Sequence, residues 1–126
     1  MSTILCVDDE SAGLRIRKAV LEHSGYRVVI AESGSRALEI ATTEHLDLAI
    51  IDFLMPEMTG DELALRLRAL NPSLPIIMLS AYVTLPEGAL DHCNLLLVKG
   101  EPPQRLLDAI RKLLQAPGPI ADATRA

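Results

Sequence analysis

Three aspartates, a serine and a lysine stand directly behind apolar runs in this 126-residue sequence. Asp8 and Asp9 follow the run 4–7, Asp52 follows 48–51, Ser80 follows 76–79 and Lys99 follows 95–98. Carboxylates gathered on one rim repel, by roughly 4 kcal/mol for two unit charges about 4 Å apart at an effective dielectric near 20. Lys99 offsets one charge. A hard divalent cation offsets two more, and Mg²⁺ suits a site of one or two carboxylates, a carbonyl and several waters. No His or Cys falls at these positions, which disfavours zinc, copper and iron–sulfur chemistry. An aspartate beside Mg²⁺ and a lysine can attack a phosphoryl group and become an aspartyl phosphate. Such a transfer depends mostly on positioning and charge neutralisation. Lys99 would take one phosphoryl oxygen and the Ser80 hydroxyl would donate to another. A hydroxyl drawn toward a new phosphate moves its loop, which makes a switch.

These residues need a frame that brings them together. Five apolar runs, 4–7, 28–31, 48–51, 76–79 and 95–98, are continuous rather than alternating, as strands covered on both faces are. Segments with helical period lie between them. Ile16, Val20 and Leu21 share a face, and Gly25 stands where that helix should end. Ser33 can cap a helix carrying Ala37, Leu38 and Ala41. Leu63, Leu67 and Leu70 repeat until Asn71-Pro72 stops the helix. Pro103 suits a first helical turn before the stripe Leu106, Leu107, Ile110, Leu113 and Leu114. The crossover 84–94 holds Pro86 and Gly88 and few apolar repeats, so its helix should be short or irregular. The alternation predicts an α/β fold: a doubly wound, five-stranded parallel sheet with helices on both faces. In such sheets ligands bind beyond the carboxyl ends of the strands, where the five chemical residues stand. Residues 1–115 form the predicted domain, and 116–126, with Pro117, Gly118 and Pro119, a tail or linker.

Composition narrows the function classes. The apolar fraction is 49%, the charged fraction 23% and the net charge −5, which are globular values without a basic run. Direct nucleic-acid binding is not expected from such a chain. No run approaches a membrane span, and the first apolar run is cut short by Asp8-Asp9-Glu10, unlike a signal peptide. Cys6 and Cys93, far apart, suggest a reducing, cytoplasmic setting rather than a disulfide framework. His23, His45 and His92 read as surface residues away from the rim, and Cys6 as a small core residue.

Val7-Asp8-Asp9-Glu10, Asp52-Phe53-Leu54-Met55-Pro56-Glu57-Met58-Thr59-Gly60, Ser80-Ala81 and Lys99, in that order, resemble the receiver domain of two-component response regulators. The resemblance covers residues 3–115 and implies a flavodoxin-like sheet with strand order 2-1-3-4-5. It implies phosphoryl transfer from a sensor histidine kinase or phosphotransfer protein, with Mg²⁺, to Asp52. By position, Asp9 would ligate the metal directly, Asp8 mostly through water, and the Leu54 carbonyl would complete the protein ligands with Asp52. Ser80 and Lys99 would contact the phosphoryl group. The domain would be a phosphoacceptor rather than an enzyme with a separate substrate, acting on a partner or an attached output domain. Glu10, Ala81 and Tyr82 flank the site. Leu54 and Tyr82, each two residues past a site residue, are placed to control water access to the acyl phosphate. Three features depart from the family pattern: Gly100 instead of proline after the lysine, Leu96 instead of Tyr or Phe at the third position before it, and a shortened interval from Ser80 to Lys99.

Each residue has a plainer reading alone. Asp8-Asp9 can cap a helix, Ser80 can close a turn, Lys99 can be solvated, and Met55, Met58 and Gly60 can serve packing and turns. Two other function classes compete with a phosphorylation-controlled module. A receiver-like interaction module independent of phosphate is favoured by Gly100, Leu96 and the short crossover, and opposed by the complete acidic set. An enzyme on a similar sheet is opposed at specific positions: a phosphatase wants a second acid where Leu54 stands, and a flavin protein wants a Gly- and hydroxyl-rich loop where Asp8-Asp9 stands.

Overall fold

The computed structural model describes residues 1–81 and 84–115. The chain runs β1 (Thr3–Val7), α1 (Ser11–His23), β2 (Arg27–Ala31), α2 (Gly34–Thr43), β3 (Leu48–Asp52), α3 (Gly60–Leu70), β4 (Ile76–Ser80), β5 (Leu95–Val98) and α4 (Pro103–Gln115). All pairings are parallel and the order is β2-β1-β3-β4-β5, as expected.

Alternate strand residues feed two cores, which is why the runs are continuous. Leu5, Val7, Ala49, Ile51, Ile76 and Met78 pack with Ala37, Ile40, Leu63 and Leu67 of α2 and α3. Ile4, Cys6, Leu48, Ile50, Ile77 and Leu79 pack with Leu14 and Leu21 of α1 and Ile110 of α4. Cys6 is a buried free thiol, pushed up to about 12 by burial.

The helix boundaries follow their local chemistry. The Ser33 hydroxyl accepts from the Arg36 amide at 3.1 Å. At the end of α1 the Gly25 amide donates to the Glu22 carbonyl at 3.0 Å. Asn71 ends α3 and Pro103 opens α4. Two residues depart from the expected faces. Ile16 is 67% exposed, because α1 turns Leu14 and Leu21 into the sheet instead. Leu70 is exposed at the last position of α3, beyond the sheet it was expected to cover.

The irregular helix expected in the fourth crossover is a run of turns among the described residues. Ala89, Asp91 and Cys93 amides donate to the carbonyls of Pro86, Gly88 and Leu90, each three residues back. Pro86 and Gly88 prevent the longer helical bond pattern from propagating. Leu97 of β5 packs in one cluster with Ala109 and Ile110 of α4, but elsewhere the strand is poorly covered: Leu95 is exposed and Leu96 half-buried.

Candidate phosphoacceptor site

Strand register sets the site. Asp52 lies opposite Leu79, Ser80 opposite Val98, and Val7 opposite Ile51. The carboxyl ends of β1, β3, β4 and β5 therefore finish at one level. Asp8 follows β1, Asp52 and Ser80 end their strands, and Lys99 follows β5. The Lys99 amide donates to the Ser80 carbonyl at 2.8 Å, which prolongs the β4–β5 pairing to the lysine. The Phe53 amide does the same to the Leu79 carbonyl at 2.8 Å.

Asp8, Asp52 and Ser80 are buried, at 1%, 4% and 2% exposure. Lys99 bridges the two carboxylates, with Nζ 2.8 Å from Asp52 Oδ1 and 3.1 Å from Asp8 Oδ2. The second Asp8 oxygen accepts from the Glu10 amide at 3.0 Å. Asp9 is exposed, yet one oxygen from each of Asp8, Asp9 and Asp52 lies within 4.8 Å of the others. These donors are all oxygen, and their converging charge fits a hard divalent cation such as Mg²⁺.

The electrostatics separate the two buried carboxyls. Burial, with Asp8 and Asp9 nearby, pushes Asp52 up to about 6 despite Lys99. Burial acts on Asp8 too, but the Glu10 amide and the Lys99 and Arg17 cations outweigh it and hold that carboxyl below its ordinary value. Burial would depress Lys99, but Asp52 and Asp8 together hold it above the usual lysine range. Of the two buried carboxyls, Asp52 is thus the one whose charge this fold opposes, which makes it a candidate functional residue.

The loop after β3 is built around close approaches. A Cβ on Gly60 would sit 2.7 Å from the Asp52 carbonyl oxygen and 2.8 Å from Phe53 Cα, so only glycine lets α3 start here. The Gly60 amide donates to the Phe53 carbonyl at 2.7 Å. Glu57 has φ +70°, in a tight turn where the Met58 amide reaches the Pro56 carbonyl at 2.7 Å. Leu54 is 53% exposed at the rim, and Glu10 and Ala81 are exposed beside it. Tyr82 lies outside the described residues. Gly100 takes φ +91° directly after a trans Lys99–Gly100 peptide. The positive φ is one that glycine adopts without the penalty a side chain would add.

One residue at this site escaped the sequence reading. Arg17 Nη2 lies 3.6 Å from Asp8 Oδ2, with only 14% of the side chain exposed. The signal was present: 14, 17 and 21 form one helical stripe, and an arginine interrupts it.

The chain matches the model of the response regulator receiver domain over residues 4–111. It is 38% identical over 96 residues to the transcriptional regulatory protein ZraR of Escherichia coli K12, covering 71% of this chain and 22% of that protein. It is 41% identical over 78 residues to the transcriptional regulatory protein PhoP of Bacillus subtilis, covering 62% of this chain and 32% of that protein. This chain therefore spans well under half the length of these curated relatives. Among solved structures it resembles a CheY-like receiver domain from Methanospirillum hungatei, at 32% identity and TM-score 0.85, over 90% of this chain and 94% of that one. The Thermotoga maritima response regulator TrrA, solved with Mg²⁺ and beryllium fluoride, gives the same identity and score over 90% of this chain and 99% of that one. TrrA has also been solved with the histidine kinase ThkA, there matching with TM-score 0.84 over 91% of this chain. The chain belongs to the receiver domains of two-component response regulators, phosphoacceptor signalling domains whose general function is switching by phosphorylation.

Proposed function

We propose that Asp52 accepts a phosphoryl group from a sensor histidine kinase or phosphotransfer protein in a Mg²⁺-dependent reaction, and that this chain thereby controls a partner or an attached output domain. The observation that carries the reading is the Lys99 ammonium bridging Asp52 and Asp8, with Asp9 close enough to share a cation with both. Held by Asp8, Asp9, Asp52 and the Leu54 carbonyl, Mg²⁺ would supply positive charge against the phosphoryl oxygens and the crowded carboxylates.

The remaining steps belong to the chain. An Asp52 carboxylate oxygen forms the new bond to phosphorus. The bond from phosphorus to the donor breaks, and its electron pair leaves with the donor's nitrogen or oxygen. Lys99, already within 2.8 Å of Asp52, takes up the charge arriving on the phosphoryl oxygens. The Ser80 hydroxyl, at the end of the adjacent strand, donates to one of them. Its movement would carry the change into the loop after β4. The strand-end placement of all these groups favours transfer, because it holds them before the donor arrives.

A cytoplasmic setting agrees with the two free thiols. The identity of ZraR and PhoP as transcriptional regulators supports an attached output domain; the complex of TrrA with ThkA supports a kinase partner. The reading is tested by intact mass after incubation with acetyl phosphate, with and without Mg²⁺, beside Asp52→Asn. One phosphoryl group gained by the parent with Mg²⁺, and not by the variant, is expected. No gain, together with no Mg²⁺ binding by titration, would replace the reading with a phosphate-independent interaction module.

A further inference from the structure

Helix α1 carries its inward stripe through Leu14, Arg17 and Leu21, and the two leucines are fully buried. Arg17 thus lies on the inward face, with 14% of its side chain exposed. Its surroundings include the apolar Val20, Leu79, Leu97 and Leu106, which line one cavity with it. Burying a cation among apolar groups is costly, and an aliphatic residue would complete the stripe. The arginine has one ion-pair partner, Asp8 Oδ2 at 3.6 Å, and its Nη1 is buried with no hydrogen-bond partner among the described residues. At 3.6 Å the pair is electrostatic contact without a hydrogen bond.

The guanidinium has room to close that gap. The cavity it lines measures about 440 Å³ and also reaches Asp8 and Lys99. Gly13, one turn earlier, leaves space where other residues would put a side chain, with nothing within 4 Å of the position of a Cβ. Asp8 Oδ2 is shared by two cations, Lys99 at 3.1 Å and Arg17 at 3.6 Å. At 1% exposure, Asp8 has little bulk water to offset a lost cation.

We propose that Arg17 is a positioning residue for phosphoryl transfer: it takes over the Asp8 carboxylate when Lys99 is drawn to the phosphoryl group on Asp52. The inference rests on the phosphoacceptor role proposed above. Lys99 has two carboxylates to serve in the resting protein. After transfer, an Asp52 oxygen is bonded to phosphorus, and the phosphoryl oxygens compete for the ammonium. Without Arg17, releasing Lys99 would leave Asp8 with the metal as its only cation, and the loss of Oδ2's protein partner would hold Lys99 back. With Arg17, the guanidinium moves in and Lys99 is free to turn.

The test measures phosphorylation rate against acetyl phosphate concentration in Mg²⁺ for the parent, Arg17→Leu, Arg17→Gln and Arg17→Lys, with thermal unfolding of each. Arg17→Leu should lower the maximal rate roughly tenfold, the scale of a lost charged hydrogen bond. The half-saturating donor concentration should stay within about twofold, because Arg17 does not touch the donor. Arg17→Leu should melt no lower than the parent, since leucine completes the stripe. Arg17→Lys should recover most of the rate and Arg17→Gln should not; this pair decides the matter if the leucine variant fails to fold. Equal rates for Arg17→Gln and Arg17→Lys, or a parental maximal rate in Arg17→Leu, would overturn the positioning role while leaving the phosphoacceptor intact. No phosphorylation of the parent would overturn the phosphoacceptor reading itself, and this inference with it.

Discussion

Replacing Asp52 with asparagine should make the metal-free protein more stable, although it removes the residue on which the proposed function depends. Asp52 is 4% exposed and burial pushes it up to about 6, from an ordinary value of 3.8. A folded-state value above the unfolded one means that the folded protein binds this proton more tightly. The stability contributed by Asp52 is therefore fully present below about pH 3.8, declines as pH rises to about 6, and stays lost above that. The interval is worth about 3 kcal/mol, the penalty of holding the carboxylate charged at neutral pH. Asp52→Asn keeps the shape and removes the charge. Lys99 loses a partner at 2.8 Å but keeps Asp8 at 3.1 Å, so part of the gain is returned. A net gain of about 1–3 kcal/mol near pH 7.5 follows, or roughly 4–10 °C in melting temperature for a domain this size. Thermal unfolding by circular dichroism in chelator, from about pH 4 to 8, reads it directly. The gain should shrink toward zero near pH 4, where Asp52 of the parent is itself protonated. Mg²⁺ should then stabilise the parent more than the variant. A variant no more stable than the parent near neutral pH, or a gain that does not change with pH, would refute the reasoning.

Further outcomes follow from the loops around the site. Gly60→Ala should destabilise by about 2–3 kcal/mol in chemical denaturation, because the added Cβ meets backbone atoms of Asp52 and Phe53 that cannot step aside. Glu57→Gly should stabilise by about 1 kcal/mol in the same assay, since Glu57 is held at φ +70°. Leu54→Ala should leave stability and Mg²⁺ affinity nearly unchanged, because the side chain is 53% exposed, but should speed loss of the phosphoryl group by admitting water; an unchanged decay rate would remove Leu54 from that role.

The sheet was legible because each strand is covered on both faces and so reads as an unbroken apolar run between helical segments. Strand ends then located the site, since a doubly wound sheet brings the residues after β1, β3, β4 and β5 to one rim. What escaped depended on packing. Periodicity put Ile16, Val20 and Leu21 on one face of α1, but of these only Leu21 is fully buried, and the inward stripe runs through Arg17 instead. Burial of Leu14 and Leu21 turns that stripe inward, and Arg17 meets Asp8 there. The left-handed turn at Glu57 was illegible because glutamate carries no preference for it; the neighbouring chain imposes it. In the fourth crossover Pro86 and Gly88 announced irregularity, but the turns that resulted depend on how Leu85, Ala89 and Cys93 pack against the core.

The most direct test of the central claim is to trap the phosphoryl group chemically. The chain would be incubated with acetyl phosphate and Mg²⁺, reduced with borohydride, digested and mapped by mass spectrometry. An aspartyl phosphate is an acyl phosphate, so reduction converts its side chain to the alcohol of homoserine. Conversion is expected at Asp52 alone, and only in samples given both phosphodonor and Mg²⁺. Conversion at another carboxylate, or none at Asp52 in a sample whose intact mass shows a phosphoryl group, would contradict it.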